Sequence, residues 1–271
     1  MTTQREKAQH FLELHRGDGA LLMPNAWDIG SARIFESLGF QALATTSSGH
    51  AATLGRLDGS VTRDEALVHA ADLVAAGELP VSADFENGFA DDPDAVAANV
   101  TLAVAVGLAG CSIEDYSGPE RGLYEPHLAA ERVAAAAEAA HGGDVHLVLT
   151  ARAENHIRGN PDLADTIARL QSFQAAGADV LFAPGLSDLG DIRRVVTSVD
   201  LPVSVLAGPN APSVTELGAA GVKRISVGGS LAYVAIGAMA DAARELLEQG
   251  TYGYWIVAGP GAAVARAAFK R

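Results

Sequence analysis

Short apolar runs alternate along the chain with longer alanine-rich stretches, and the junctions between them repeat one order of helix, glycine and strand. Gly39 in "ESLGFQALATT", Gly77 in "VAAGELPVSAD", Gly107 in "AVGLAGCSIED", Gly177 in "AAGADVLFAP" and Gly221 in "AAGVKRISVGG" all occupy that junction. A glycine there tolerates the left-handed backbone that closes a helix. Helix starts are marked too. Thr62 and Glu65 have capping-box spacing, while Asp92-Pro93 and Asn160-Pro161 each pair a cap residue with a proline of the first turn. Strands are expected near residues 20–25, 41–46, 79–84, 109–114, 145–151, 179–183, 202–206 and 223–228, each followed by a helical segment. These runs are continuously apolar, as in a parallel sheet covered on both faces. Eight β/α units in this length predict a TIM (β/α)8 barrel, with an open doubly wound sheet as the structural rival. Nothing resembling a linker interrupts the alternation. Residues 1–271 therefore read as one barrel domain, with 250–271 a C-terminal extension that packs on a neighbouring subunit or covers the barrel bottom.

Composition narrows the partners. With 49% hydrophobic and 19% charged residues, a chain of 271 residues can bury a large core. Its formal charge of -14 argues against nucleic acid or an anionic membrane surface as a partner, leaving small molecules and other proteins. The single cysteine, Cys111, excludes an internal disulfide framework and suits a reducing compartment. The N-terminal "MTTQREKAQHFLELHRGDG" lacks the apolar core of a secretory signal, and no uncharged run is long enough to span a membrane. A soluble cytoplasmic protein is the expectation.

In such barrels the chemistry sits at the carboxyl ends of the strands. The second strand ends in Thr45-Thr46-Ser47-Ser48, and Asp58 follows in "LGRLDGS". The third ends in Asp84, Glu86 and Asn87, the fourth in Glu114-Asp115, and the fifth in Arg152 with Glu154 beyond. Several acids converging on one rim opposite an arginine point to a hard cation holding an anionic ligand. Mg²⁺ prefers oxygen ligands and keeps several waters. Asp84 can touch the metal while Asp58, Glu86 and Glu114 hold its hydration shell, and Mn²⁺ suits the same oxygen-rich set. Arg152 can clamp a substrate carboxylate in bidentate fashion, and backbone N–H groups around Thr46 and Ser47 can take another oxygen. Two plainer readings stand beside these. A strand-end aspartate often caps the next helix, and Arg152 can be a structural partner of Glu154 or Asp115. "SVGGSL", residues 226–231, has the look of a phosphate-binding turn, but its glycines also suit a tight strand-to-helix turn.

The ordered set "PNAWDIGSARIFESLGF", "LGRLDG", "ADFENGF", "CSIEDY" and "TARAENH" resembles the isocitrate lyase and phosphoenolpyruvate mutase superfamily, over about residues 20–245. The resemblance implies a barrel whose eighth helix is exchanged between subunits of a homodimer or homotetramer. It also implies Mg²⁺-dependent chemistry on 2-oxo acids through an enolate. Asp84 matches the direct metal ligand, Asp58, Glu86 and Glu114 the surrounding carboxylates, Arg152 the substrate-carboxylate arginine, and Thr46-Ser47 the backbone donors. Trp27, beside Asp28 after the first strand, is a candidate either to pack beside the substrate or to support a lid.

The sequence departs from the family in the loop after the fourth strand. Isocitrate and methylisocitrate lyases carry lysine, cysteine, glycine and histidine there, and the mutases carry a lysine and an asparagine in the gate. This chain reads "SGPERGLYEP". Glu120, Arg121, Tyr124 and Glu125 remain as gate candidates, with the Tyr124 hydroxyl a candidate proton donor. The leading expectation is a Mg²⁺-dependent lyase that cleaves a C–C bond of a 2-hydroxy or 2-oxo dicarboxylic acid through an enolate, with Arg152, Glu114, Tyr124 and Asp58 as catalytic candidates. The alternatives are a phosphoenolpyruvate phosphomutase or phosphonopyruvate hydrolase acting on a C–P bond, and a non-catalytic 2-oxo-acid-binding protein.

Overall fold

The structure, a computed structural model, describes residues 2–270. Its strands are β1 (Leu21–Met23), β2 (Asn25–Ala26), β3 (Leu43–Thr45), β4 (Val81–Asp84), β5 (Gly110–Glu114), β6 (Val148–Arg152), β7 (Val180–Phe182), β8 (Val203–Leu206) and β9 (Arg224–Ser226). The helices are α1 (Gln4–Leu14), α2 (Ile29–Ser37), α3 (Ser47–Thr53), α4 (Arg63–Ala76), α5 (Pro93–Ala105) and α6 (Pro126–His141). They continue with α7 (Leu163–Ala175), α8 (Leu189–Thr197), α9 (Val214–Ala219), α10 (Ser230–Gln249) and α11 (Trp255–Ala268).

All strands are parallel in one sheet of order β1-β9-β8-β7-β6-β5-β4-β3-β2. Its two edges are halves of the predicted first strand, divided at Pro24. Proline has no N–H to give a ladder. β1 therefore pairs with β9 on one side and β2 with β3 on the other, and the Pro24 carbonyl accepts from Ala44 N–H at 3.0 Å. The sheet closes through that residue into a TIM barrel, and the open-sheet rival falls.

Most of the local punctuation is as expected. Gly39, Gly107, Gly177 and Gly221 take left-handed backbone after their helices, and Thr62 and Glu65 form the capping box of α4. Two details differ. Gly77 is extended at φ -164°, and a Cβ there would meet the Glu36 carboxylate, so the position is set by close approach rather than by handedness. At the other, the cap of α7 is Asp162, not Asn160, because its side chain accepts from Ala164 and Asp165 N–H groups.

The barrel bottom is plugged by α1. Phe11 is fully buried among Leu21, Met23, Ala42, Val148 and Val180, and Gly110 leaves room for its ring. At the other end of the chain, α11 packs on α2. Among the twenty residues of α10 only Ala232 is buried. No helix among the described residues is long and apolar enough to cross a membrane.

Candidate active site

Asp84, Glu114 and Arg152 are the last residues of β4, β5 and β6, and Glu114 is paired with Arg152 in the sheet register. Parallel strands deliver these side chains to the same rim. Arg152 Nη1 lies 3.4 Å from Glu114 Oε2 and 3.9 Å from Asp84 Oδ1, while Nε donates to Glu154. Arg152 is thus a structural partner of Glu154 and at the same time a residue of the rim. One edge of the guanidinium is anchored on a carboxylate that is fully buried, and the other faces the acids of the rim. Burial alone would lower its pKa, but Glu114, Glu154 and Asp84 outweigh that and raise it.

Glu154 is held from behind. Its N–H donates to Asp115 Oδ1 at 2.7 Å, and Asp115 Oδ2 accepts from Arg169 at 2.9 Å. Arg158, four residues beyond Glu154 in the turn after β6, donates to it at 2.7 Å, approaches Glu114 Oε1 at 3.7 Å and stacks on the Tyr116 ring at 3.8 Å. Arg158 is a site residue that the sequence reading leaves out. Its proximity in sequence to Arg152 and Glu154, just past the end of β6, is the visible signal.

Glu86 sits in left-handed backbone at φ 46°, and its Oε1 is buried without a hydrogen-bond partner. Burial, then the charges of Asp84 and Asp58, push its carboxyl up to about 7 against the pull of Arg152. Burial also raises Glu114, to about 8, with Arg152 opposing and Glu154 and Asp84 adding to the rise. Asp84, Glu114 and Glu154 thus lie within 4 Å of the two guanidiniums, and Asp58 and Glu86 line the same cleft. An excess of partly buried oxygen donors, one of them orphaned, fits a hard divalent cation.

The remaining predicted residues divide. Ser47 N–H donates to Asp84 Oδ2 at 3.1 Å, and Thr45 Oγ1 accepts from Asp84 N–H at 2.8 Å, so the turn after β3 orients the aspartate. Thr46 is buried and caps α3. Asp58 is exposed in the following loop but reaches the cleft wall. The cleft has an upper lobe of about 430 Å³ at the rim and a lower lobe of about 250 Å³ inside the barrel, and Ser47, Asp58, Arg152 and Arg158 contribute to both.

Tyr124 and Trp27 do not line either lobe. The Tyr124 hydroxyl donates to Asp91 and accepts from Asn87 at 2.9 Å, with the Arg132 guanidinium 3.9 Å from the ring centroid. Trp27 turns toward α2 and meets Phe35 edge-on at 6.0 Å. Of the other gate candidates, Arg121 pairs with Asp91. The "SVGGSL" turn does reach the lower lobe through Gly228 and Gly229, and a Cβ on Gly229 would collide with Ser48 Oγ.

The family model described as phosphoenolpyruvate phosphomutase matches residues 11–247. An uncharacterised protein of Mycobacterium tuberculosis is 32% identical over 237 residues, covering 87% of this chain and 88% of that protein. Oxaloacetate decarboxylase 2 of Pseudomonas fluorescens is 30% identical over 255 residues, covering 90% and 84%. A crystal structure from Burkholderia cenocepacia, provisionally described as a lyase/mutase, superposes with a TM-score of 0.93 at 47% identity, covering 97% of this chain and 96% of that one.

Proposed function

Because the chain belongs to the phosphoenolpyruvate phosphomutase family, within the PEP mutase/isocitrate lyase superfamily, we propose that it is a Mg²⁺-dependent lyase that breaks a C–C bond of a 2-oxo or 2-hydroxy dicarboxylic acid. The observation that carries this reading is the orphaned Glu86 Oε1 in a cleft whose rim sets Asp84 and Glu114 beside Arg152. Asp84, Glu86, Glu114 and Asp58 are the residues that would hold the cation. When bound, it supplies Lewis-acid stabilisation of charge developing on the substrate. Arg152 takes a substrate carboxylate on the edge now shared with Glu114 and Asp84, and Glu154 keeps the guanidinium plane fixed while it does so. Arg158 and Tyr116 wall the upper lobe toward the 117–119 turn and limit water there. The Tyr124 hydroxyl, which donates to Asp91 and lines neither lobe, is not assigned the proton transfer in this reading.

The loop after β5 has neither the lysine and asparagine of the mutase gate nor the lysine, cysteine, glycine and histidine of the lyase gate, so the preference for C–C over C–P chemistry rests on the relatives. The P. fluorescens relative, named for decarboxylation of oxaloacetate, agrees in bond type and substrate class.

The test is ¹H and ³¹P NMR of the purified protein, with and without Mg²⁺, against oxaloacetate, isocitrate, methylisocitrate, dimethylmalate, phosphonopyruvate and phosphoenolpyruvate. Metal-dependent formation of a 2-oxo acid or pyruvate from a carbon-only substrate, lost in Asp84→Asn, supports the proposal. A shifted phosphorus signal moves the protein to phosphonate chemistry. Metal-dependent binding without turnover makes it a 2-oxo-acid-binding protein.

The oligomer belongs to the same proposal. Helix α10 follows the last strand, yet it carries Tyr233, Val234, Met239 and Leu247 at 52, 65, 65 and 87% exposure. A second copy covering this helix, by exchange of α10 in a dimer or tetramer, would remove that apolar surface from water.

A further inference from the structure

The lower lobe of the cleft continues down into the barrel, where a positive charge is buried with no acid to meet it. Arg224, the first residue of β9, is 3% exposed. Its Nε donates to Ser204 Oγ and its Nη1 to Thr150 Oγ1, both at 2.9 Å. Nη2 makes no protein hydrogen bond among the described residues, and the side chain lines the lobe. No carboxylate lies within ion-pair distance of it among those residues. Hydroxyls can orient a guanidinium but cannot neutralise it, and an uncompensated buried charge is costly. Burial pulls the Arg224 pKa down to about 9, which leaves the group charged at neutral pH.

The surroundings are those of a polar shaft rather than a packed core. Ser82, Ser112 and Ser226 project into the same lobe, whose volume of about 250 Å³ has room for a small acid. Arg152 at the rim and Arg224 below face one ring, with guanidinium carbons 5.2 and 6.0 Å from the Phe182 centroid. The two cations therefore flank a single wall, within the span of a short chain of carbons.

We propose that Arg224 Nη2 forms the floor of an anion subsite that receives the second carboxylate of a short dicarboxylic acid whose first carboxylate is held at Arg152. This rests on the proposed function for the ligand at Arg152 but not for the floor itself. A water on Nη2 would satisfy the hydrogen bond and leave the charge unmet, whereas a carboxylate does both. Arg224 thereby becomes a specificity residue, selecting diacids over monoacids of the same length.

Two measurements test the subsite. Calorimetric titration of the Mg²⁺-loaded protein compares succinate with succinamate, and glutarate with glutaramate, in which one carboxylate is replaced by an uncharged amide of similar shape. The wild type should bind each diacid at least about tenfold more tightly than its amide, the usual scale for one charge-assisted contact. In Arg224→Met that preference should vanish while amide affinity stays within about twofold. A preference that survives in Arg224→Met overturns the proposal.

Wild-type crystals soaked in bromide, with no added metal or acid, read the floor alone. An anomalous peak beside Nη2, displaced by succinate, is expected, and this arm stands even if the methionine variant does not fold. Bromide at Nη2 without any diacid bound at Arg152 would keep the floor site and sink the active-site reading. Diacid binding that needs Arg152 but brings no anion to Nη2 would do the reverse.

Discussion

Arg132 of α6 is 1% exposed, yet among the described residues it forms no ion pair with a carboxylate. Instead its guanidinium collects backbone carbonyls. Nε donates to Asp91 O at 3.1 Å, Nη1 to Glu114 O at 3.3 Å, and Nη2 to Ala90 O at 2.7 Å and to Asn87 O. These acceptors belong to the end of β5 and to the turn after β4, where Glu86 and Phe89 hold left-handed backbone at φ 46° and 55°. Each such residue costs about 1 kcal/mol or more, and the turn keeps its shape only if its surroundings compel it.

Arg132→Met keeps the apolar stem and removes all four donated bonds. Hydrogen bonds to a charged group contribute about 1.5–3 kcal/mol each. They share one side chain, and the turn can relax toward water, so the sum is not additive. A net loss of about 4 kcal/mol is expected, within the 3–5 kcal/mol seen when one partner of a buried charged cluster is removed. Equilibrium urea unfolding at pH 7 measures it directly. Arg132→Lys should fall between, because an ammonium offers three donors and cannot lie flat over Tyr124. If Glu86 helps to hold the proposed cation, Mg²⁺ affinity in the folded fraction of Arg132→Met should also drop, since Glu86 loses the turn that aims it. A loss under about 1 kcal/mol, or methionine and lysine variants of equal stability, would refute the view that this arginine holds the turn.

His15 is fully buried, its Nδ1 2.7 Å from Phe11 O, and burial followed by the charge of Arg224 depresses its pKa to about 3. The unfolded chain takes up that proton first, so stability should fall as the pH drops below about 6.5, by about 3 kcal/mol at pH 4. His15→Asn should flatten this decline in urea unfolding at pH 7 and pH 4, and equal slopes would contradict it. Gly110→Ala places a Cβ 2.7 Å from the Phe11 ring and 2.8 Å from Val148 O, so thermal and urea unfolding should show a loss of about 1–3 kcal/mol. Gly143→Ala, with nothing within 4 Å, is the control and should stay within about 0.5 kcal/mol of wild type. If a second copy covers α10, Met239→Glu combined with Leu247→Glu should convert the oligomer to a monomer in light scattering, and an unchanged mass would remove α10 from the interface.

Much of the barrel is readable locally. Helix-closing glycines such as Gly39 and Gly177, the capping box of Thr62 and Glu65, and the apolar strand runs each depend on a few neighbouring residues, so the β/α alternation needs no knowledge of distant contacts. The same locality places Asp84, Glu114 and Arg152 on one rim, because every strand of a parallel barrel ends at the same face.

What the tertiary structure alone decides is which groups meet once the ring has closed. Pro24 could be seen as a residue without a donor, but that it divides one strand between two partners follows from the closure of the sheet. Tyr124 has the right chemistry for a gate. Its hydroxyl is nevertheless bound to Asp91, contributed by a loop 33 residues earlier in the chain. Arg224 reads in sequence as an ordinary polar residue at a strand start, and only the inward pleat of β9 and the hydroxyls of β6 and β8 bury its charge in the cleft floor. Backbone preference is set by near neighbours. The partner of a charge, and so its chemical role, is set by side chains that the fold brings from far along the chain.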